Sequence, residues 1–224
     1  MKNLAYYAYS TGARGLFVLF FGALVGCSAL QAPTRPVVYD FGPGPMQAGS
    51  TQARAPMAAL VLADVESNSA FDGTAVWYRL LYSDAQQLRP YAMARWSMAP
   101  AALMRQRLRE QLGVGRAVLG AADGITPPAN ALVLRAELEE FSQLFESATR
   151  STVLLRVRAT LGETRPGMSD TLVGQRSFVV QKPAITADAA GGVHALTDAT
   201  DVLIAELNGW IAQARPATPE ISPR

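Results

Sequence analysis

One cysteine stands in this chain, and its neighbours give it a chemistry. Cys27 follows Leu24-Val25-Gly26, an apolar residue, a small residue and a glycine directly before a thiol. That order matches the lipobox. There the thiol receives a diacylglycerol, the peptide bond after Gly26 is cut, and the new amino terminus is acylated. As the single cysteine, Cys27 has no intramolecular disulfide to make. The segment ahead of it fits. Leu16–Val25 is an apolar run of about ten residues, the length of a signal-peptide core, where a spanning helix needs about 20. Lys2 and Arg14 place positive charge before the run. Residues 1–26 are therefore expected to be a removed signal peptide, and Cys27 a lipid anchor whose several acyl chains hold firmly where one binds only marginally. Ser28 occupies the position at which Asp commonly retains a lipoprotein in the inner membrane, so the outer membrane, periplasmic face, is the expected site.

The other chemistry-bearing residues are sparse. His194 is the only histidine, and catalytic or metal sites need convergent partners, so a surface or capping place at the start of the last helix is expected. The sequence contains no Cys/His cluster of zinc spacing, no phosphate-cradling glycine loop, no Walker pattern and no G-x-S-x-G. Glu137, Glu139, Glu140 and Glu146 form an acidic group, but strand alternation places Glu137 and Glu139 on an outer, solvated face. Arg105, Arg107 and Arg109 decorate a helix and read as a solvated face near its C-terminus, favoured by the macrodipole, ahead of a partner-binding patch. No metal, no cofactor beyond the acyl groups of Cys27 and no catalytic residue is expected. A binding or assembly role outranks an enzyme, since an envelope hydrolase would need a nucleophile–base pair.

Composition agrees. The formal charge of +2 loses Lys2 and Arg14 with the signal, so the 20 basic residues become 18 against 18 acidic ones, and no bulk positive field argues for nucleic acid. Residues 27–56 hold five prolines and three glycines, namely Pro33, Pro36, Pro43, Pro45, Pro56, Gly42, Gly44 and Gly49, and read as a tether. Within it Val37–Gly42 has the composition of an edge strand. Residues 57–214 form one domain, and residues 215–224 a disordered tail.

Inside the domain the periodicities are clear. Strands are predicted over Ala59–Glu66, Ala75–Ser83, Leu88–Trp96, Val114–Leu119, Leu132–Ser147, Thr152–Leu161 and Thr171–Gln181, with Ser83–Gln87 as a hairpin connection. Pro100 opens a helix with Ala101, Met104, Leu108 and Leu112 on its buried stripe, and Gly113 stops it. A last helix buries Leu196, Thr200, Leu203, Leu207 and Ile211. Leu132–Glu146 and Ser151–Leu161 should form a hairpin centred near Ala148-Thr149, with Glu139 about opposite Arg158. These elements imply an α+β fold in two layers, a mostly antiparallel sheet with two helices packed on one face. No run after Cys27 is long enough to span a bilayer. Tyr39, Phe41, Trp77 and Tyr78, large and amphipathic and near the tether, are the candidate partner contacts. The plainer alternative is that Trp77 and Tyr78 pack on opposite faces of one strand.

Taken in order, several of these pieces resemble the ABC-type transport auxiliary lipoproteins of the PqiC/YmbA kind. They are the lipobox ending in Cys27, Tyr39-Asp40-Phe41-Gly42, Leu60–Val65, Phe71-Asp72-Gly73 before Trp77-Tyr78-Arg79, and Arg95–Pro100 leading into Leu103-Met104 and Leu108. The long Leu132–Glu146 strand and the last amphipathic helix complete the order, and the likeness spans most of residues 37–212. The resemblance implies an auxiliary component that accompanies an inner-membrane ABC transporter and its MCE-domain periplasmic protein, in systems moving phospholipid or other apolar molecules between the two membranes. It implies no ATP binding by this chain and allows a homo-oligomer. The alternative is a structural lipoprotein that docks or chaperones another envelope complex.

Overall fold

A computed structural model describes residues 35–44 and 57–214 of the chain. The expected signal peptide, Cys27, much of the tether and the tail lie outside the described residues. The elements described below belong to one compact unit that begins at Pro36. In chain order the elements are β1 (Val37–Tyr39), β2 (Met57–Ser67), β3 (Ala75–Leu80), β4 (Asp84–Trp96), α1 (Pro100–Leu112), β5 (Arg116–Leu119), β6 (Leu132–Ser147), β7 (Arg150–Arg165), β8 (Met168–Pro183) and α2 (Ala189–Ala214).

The sheet is organised on β6. One of its edges pairs antiparallel with β7 from Leu132↔Glu163 to Ser147↔Arg150, around the expected Ala148-Thr149 turn, and β7 carries β8. The other edge is shared. β2 runs parallel to its first half, Leu60↔Leu132 to Ser67↔Leu138, and β3 parallel to its second, Tyr78↔Gln143 to Leu80↔Phe145. β5 extends the sheet beyond β2, and β4 followed by β1 extends it beyond β3. The fold is α+β, with two helices on an open mixed sheet. The antiparallel pairings hold most of the register. The parallel ones were not legible, because side chains alternate with the same period in both kinds of pair. β1 pairs parallel with β4 at the sheet edge, as its composition predicts, so part of the expected tether is built into the domain.

Alternation decides which face is covered. Leu134, Ala136 and Leu138 of β6 and Val153, Leu155, Val157, Ala159 and Leu161 of β7 are buried on the face that α2 packs against, and α1 lies beside α2 on β2. A register shift between Leu138 and Glu140 moves the inward parity of β6 from even to odd, so that Phe141, Gln143 and Phe145 point into the core. The stripes of both helices are buried as their spacing requires. Pro100 opens α1 where a missing N–H leaves nothing unpaired. The Thr200 hydroxyl, buried in α2, is satisfied by donating to the Leu196 carbonyl at 2.8 Å. Asp188 precedes α2 and accepts from the Gly191 N–H at 2.8 Å. That bond, with one from the Thr186 hydroxyl, holds the Asp188 carboxyl below the usual carboxylate range.

One connection differs from the expected one. β3 stops at Leu80 and β4 starts at Asp84, so the hairpin turns at Leu81-Tyr82-Ser83 and Asp84–Gln87 belong to the strand. The Ser83 N–H closes onto the Leu80 carbonyl at 3.0 Å and leaves Leu81 and Tyr82 exposed at the tip. Polar residues suggested a loop, but backbone pairing with β3 is indifferent to side-chain polarity on an exposed hairpin end. No helix among the described residues is long and apolar enough to cross a membrane.

Candidate functional site

The four aromatic candidates do not form one surface. Tyr39 ends β1, half-buried and paired with Trp96, and its carbonyl accepts from the Ser97 N–H at 2.7 Å. Phe41 is a core residue, 7% exposed. Its ring meets Trp96 edge-on at 5.6 Å, and Trp96 and Phe141 complete the cluster at 5.5 Å. The expectation that Phe41 contacts a partner is therefore corrected: the tight turn after β1 folds the ring back under the sheet edge. Trp77 and Tyr78 lie on opposite faces of β3, both half-buried, as the plainer alternative had it. The indole Nε1 of Trp77 is buried with no hydrogen-bond acceptor. Tyr78 packs at a tilt 4.6 Å from Tyr91 and meets Phe145 edge-on at 5.8 Å.

Tyr91 joins a buried polar chain that sequence reading missed. Its hydroxyl donates to Gln143 Oε1 at 2.8 Å, and Gln143 Nε2 donates to Ser151 Oγ at 2.7 Å. Gln143 and Ser151 are buried on the inward parity of β6 and β7. Burial, then the neighbouring Tyr78 and Asp188, push the Tyr91 phenol well above the usual tyrosine range, so it is a neutral donor throughout the physiological range. The start of α2 presses on this chain. A Cβ at Gly192 would lie 2.1 Å from Gln143 Oε1, which explains a glycine inside a helix.

Arg107 also departs from expectation. It is 4% exposed and not part of a solvated face. Its NH2 donates to the Phe41 carbonyl at 2.8 Å, and its Nε lies 2.9 Å from Asp201 Oδ1 on α2, which also accepts from Gln111 at 2.6 Å. One guanidinium thus ties the segment after β1 to both helices. Gly44 passes so close that a Cβ there would meet Arg107 NH1 at 2.5 Å, and its φ of +69° is in the left-handed region. The missed signal is in the spacing. Residues two apart on a helix point in nearly opposite directions, so Arg105, Arg107 and Arg109 cannot share a face, and Arg107 sits three positions after Met104 on the buried side. The other two arginines do reach outward, Arg105 to Asp64 at 2.9 Å and Arg109 to Asp123 at 2.8 Å. Asp123 also accepts from the Gly120 N–H, and this bond with Arg109 lowers its pKa.

The acidic group on β6 is engaged by arginines. Arg158 pairs with Glu139 and lies 4.0 Å from Glu137, Arg79 meets Glu140 at 3.1 Å, and Arg150 meets Glu146 at 2.7 Å. His194 is exposed on α2. Among the described residues no group of three or more His, Cys, Asp or Glu is arranged to hold a metal. What the geometry offers is a rigid sheet edge with a firmly held N-terminal segment and an outer face of paired charges.

Solved structures share this architecture. Protein XCC0632 from Xanthomonas campestris, of the family DUF330, superposes with a TM-score of 0.61 at 17% identity over 73% of this chain and 89% of its own. An uncharacterised protein gives 0.58 at 14% identity, over 79% and 99%. At such identities the likeness shows the fold. No curated protein matches the sequence. The family model described as "ABC-type transport auxiliary lipoprotein component" matches residues 39–208, from the end of β1 to the last turns of α2. The chain belongs to the ABC-type transport auxiliary lipoprotein family.

Proposed function

We propose that this protein is the outer-membrane-anchored, periplasm-facing auxiliary lipoprotein of an ABC/MCE transport system that moves phospholipid or other apolar molecules between the membranes. It acts by holding other proteins, not by catalysis. The observation that carries the reading is the family match over residues 39–208 together with Leu24-Val25-Gly26-Cys27 ahead of it. The domain suits a docking role: a stiff sheet whose helix-free face bears paired charges, and an N-terminal segment fixed to the domain before it leaves for the anchor. Tyr39, Trp77 and Tyr78 keep accessible surface and remain the aromatic contacts to test.

The test is purification of the tagged, acylated protein from its native envelope with identification of bound proteins and lipids. An ABC ATPase, a permease and an MCE-domain protein in the eluate, with phospholipid, support the reading. Another envelope complex in their place would establish the assembly role instead. For the anchor, Cys27→Ala should abolish labelling by a fatty-acid probe and leave a soluble or uncleaved form; equal labelling of variant and wild type would overturn it. Trp77→Ala should lose the MCE component while keeping its melting transition. Loss of both together would assign Trp77 to the core.

A further inference from the structure

We propose that the β1/β4 edge of the domain lies against the lipid surface. The proposal rests on the reading of Cys27 as the anchor and adds to it which side of the domain meets the membrane. Val37 comes ten residues after Cys27. A chain rises at most about 3.6 Å per residue, so β1 stands no more than about 36 Å from the anchored residue, whatever path the intervening chain takes. A tether running to Pro56 would reach about 100 Å. The difference is made by the segment Val37–Gly44, whose far end is held. β1 pairs with Ala94, Arg95 and Trp96 of β4, Phe41 is packed against Trp96, and Arg107 binds the Phe41 carbonyl. A leash attached at that edge holds it within about 36 Å of the bilayer, nearer than a chain free as far as Pro56 would.

The edge has a surface suited to that place. Val37 and Val38 are 53% and 64% exposed, and on the neighbouring strand and the turn after it Met93 and Met98 are 44% and 41% exposed. Arg35, two residues ahead of β1 in sequence, is exposed and offers a cation to anionic headgroups, with the exposed Asp40 beyond the strand as the opposing charge. A fringe of single apolar side chains fits shallow interfacial contact, not insertion.

The experiment uses the acylated full-length protein, in which the Cys27 thiol is consumed, with one cysteine introduced at a time and labelled with an environment-sensitive fluorophore. The positions are Val38→Cys and Met93→Cys at the edge, and Ile125→Cys and Leu172→Cys, which are also exposed but lie outside β1 and β4. The protein is bound to vesicles of phosphatidylethanolamine and phosphatidylglycerol containing a spin-labelled phosphatidylcholine. Loss of most emission at 38 and 93 but not at 125 or 172 is expected. Equal quenching at all four positions, or none at 38 and 93, overturns the edge assignment while the anchor stands. Shielding of position 38 from soluble iodide without lipid quenching marks a protein partner there and also overturns it. A protein that does not float with the vesicles overturns the anchor reading, and the edge assignment falls with it.

Discussion

The β6–β7 hairpin presents two faces made by one alternation, and they contribute to the molecule in different ways. On the inner face Leu134, Leu138, Leu155, Val157 and Leu161 are buried under the helices. On the outer face Arg158 pairs with Glu139, Arg79 with Glu140, and Arg135 with Asp170. Burial of apolar area contributes roughly 1.5–3 kcal/mol per large side chain, while exposed ion pairs contribute between about 0 and 1, and in the more shielded Arg79–Glu140 pair desolvation offsets the attraction. The inner face therefore holds the fold together. The outer face presents paired charges and contributes less to the fold.

The sharpest test removes an inner side chain. Leu155 is fully buried at the centre of β7, between Phe141 on β6 and Val180 on β8. Leu155→Ala should lower unfolding free energy by about 2–5 kcal/mol, read as a shift in denaturant midpoint at unchanged m-value. A loss as small as that from an outer-face change would end the distinction between the faces.

Arg107 is the exception that sharpens it, a charged residue on the helical side that is nonetheless buried. Arg107→Met keeps most of the volume but strips the Phe41 carbonyl of its donor and Asp201 of its cation. The expected cost is about 1.5–3 kcal/mol. Because Asp201 keeps 40% of its side chain exposed, water makes up part of its loss. A local readout separates this from general destabilisation. The Ser97 amide, bonded to the Tyr39 carbonyl, should exchange faster than amides of β7 if Arg107 holds the segment down.

Gly192 tests the same face from the polar side. In Gly192→Ala the new methyl must displace the Gln143 carboxamide, breaking its bonds to Tyr91 and Ser151 or shifting α2. The expected loss is about 1–3 kcal/mol. Gly192→Ala combined with Gln143→Ala should recover part of it, because the clash is then gone. Two losses that simply add would place the strain elsewhere.

These residues mark where the sequence was readable. The stripes Met104–Leu108–Leu112 and Leu196–Leu203–Leu207 and the alternation of β6 and β7 are periodic, and periodicity is a local property, so elements and buried faces could be assigned. Arg107, Gln143 and Gly192 are not periodic features. Each takes its meaning from an element distant in sequence, Phe41 and Asp201 for the first, Tyr91 for the second and Gln143 for the third, and no spacing reveals such partners. The parallel placement of β2 and β3 along one edge of β6 was hidden for the same reason. Phe41 was misplaced because a large aromatic residue beside the tether reads as a partner contact, whereas the turn at Gly42 and Gly44 returns it to the core.

The smallest effect lies on the outer face and concerns register. Counting back from the Ala148-Thr149 turn sets Glu139 opposite Arg158. In the structure Glu137 is the direct register partner, because the pairing shifts between Phe145 and Ser147 and again between Leu138 and Glu140, yet Arg158 pairs more closely with Glu139. The bulge residue, with 18% of its side chain exposed, is better shielded than Glu137 at 50%. Double-mutant cycles of Arg158→Gln with Glu139→Gln and with Glu137→Gln should give a coupling of about 0.2–1 kcal/mol for the first and less for the second. Both should weaken as salt rises, since Arg158 is half exposed. A larger coupling to Glu137 would mean that strand register, not the bulge, decides which carboxylate the arginine holds.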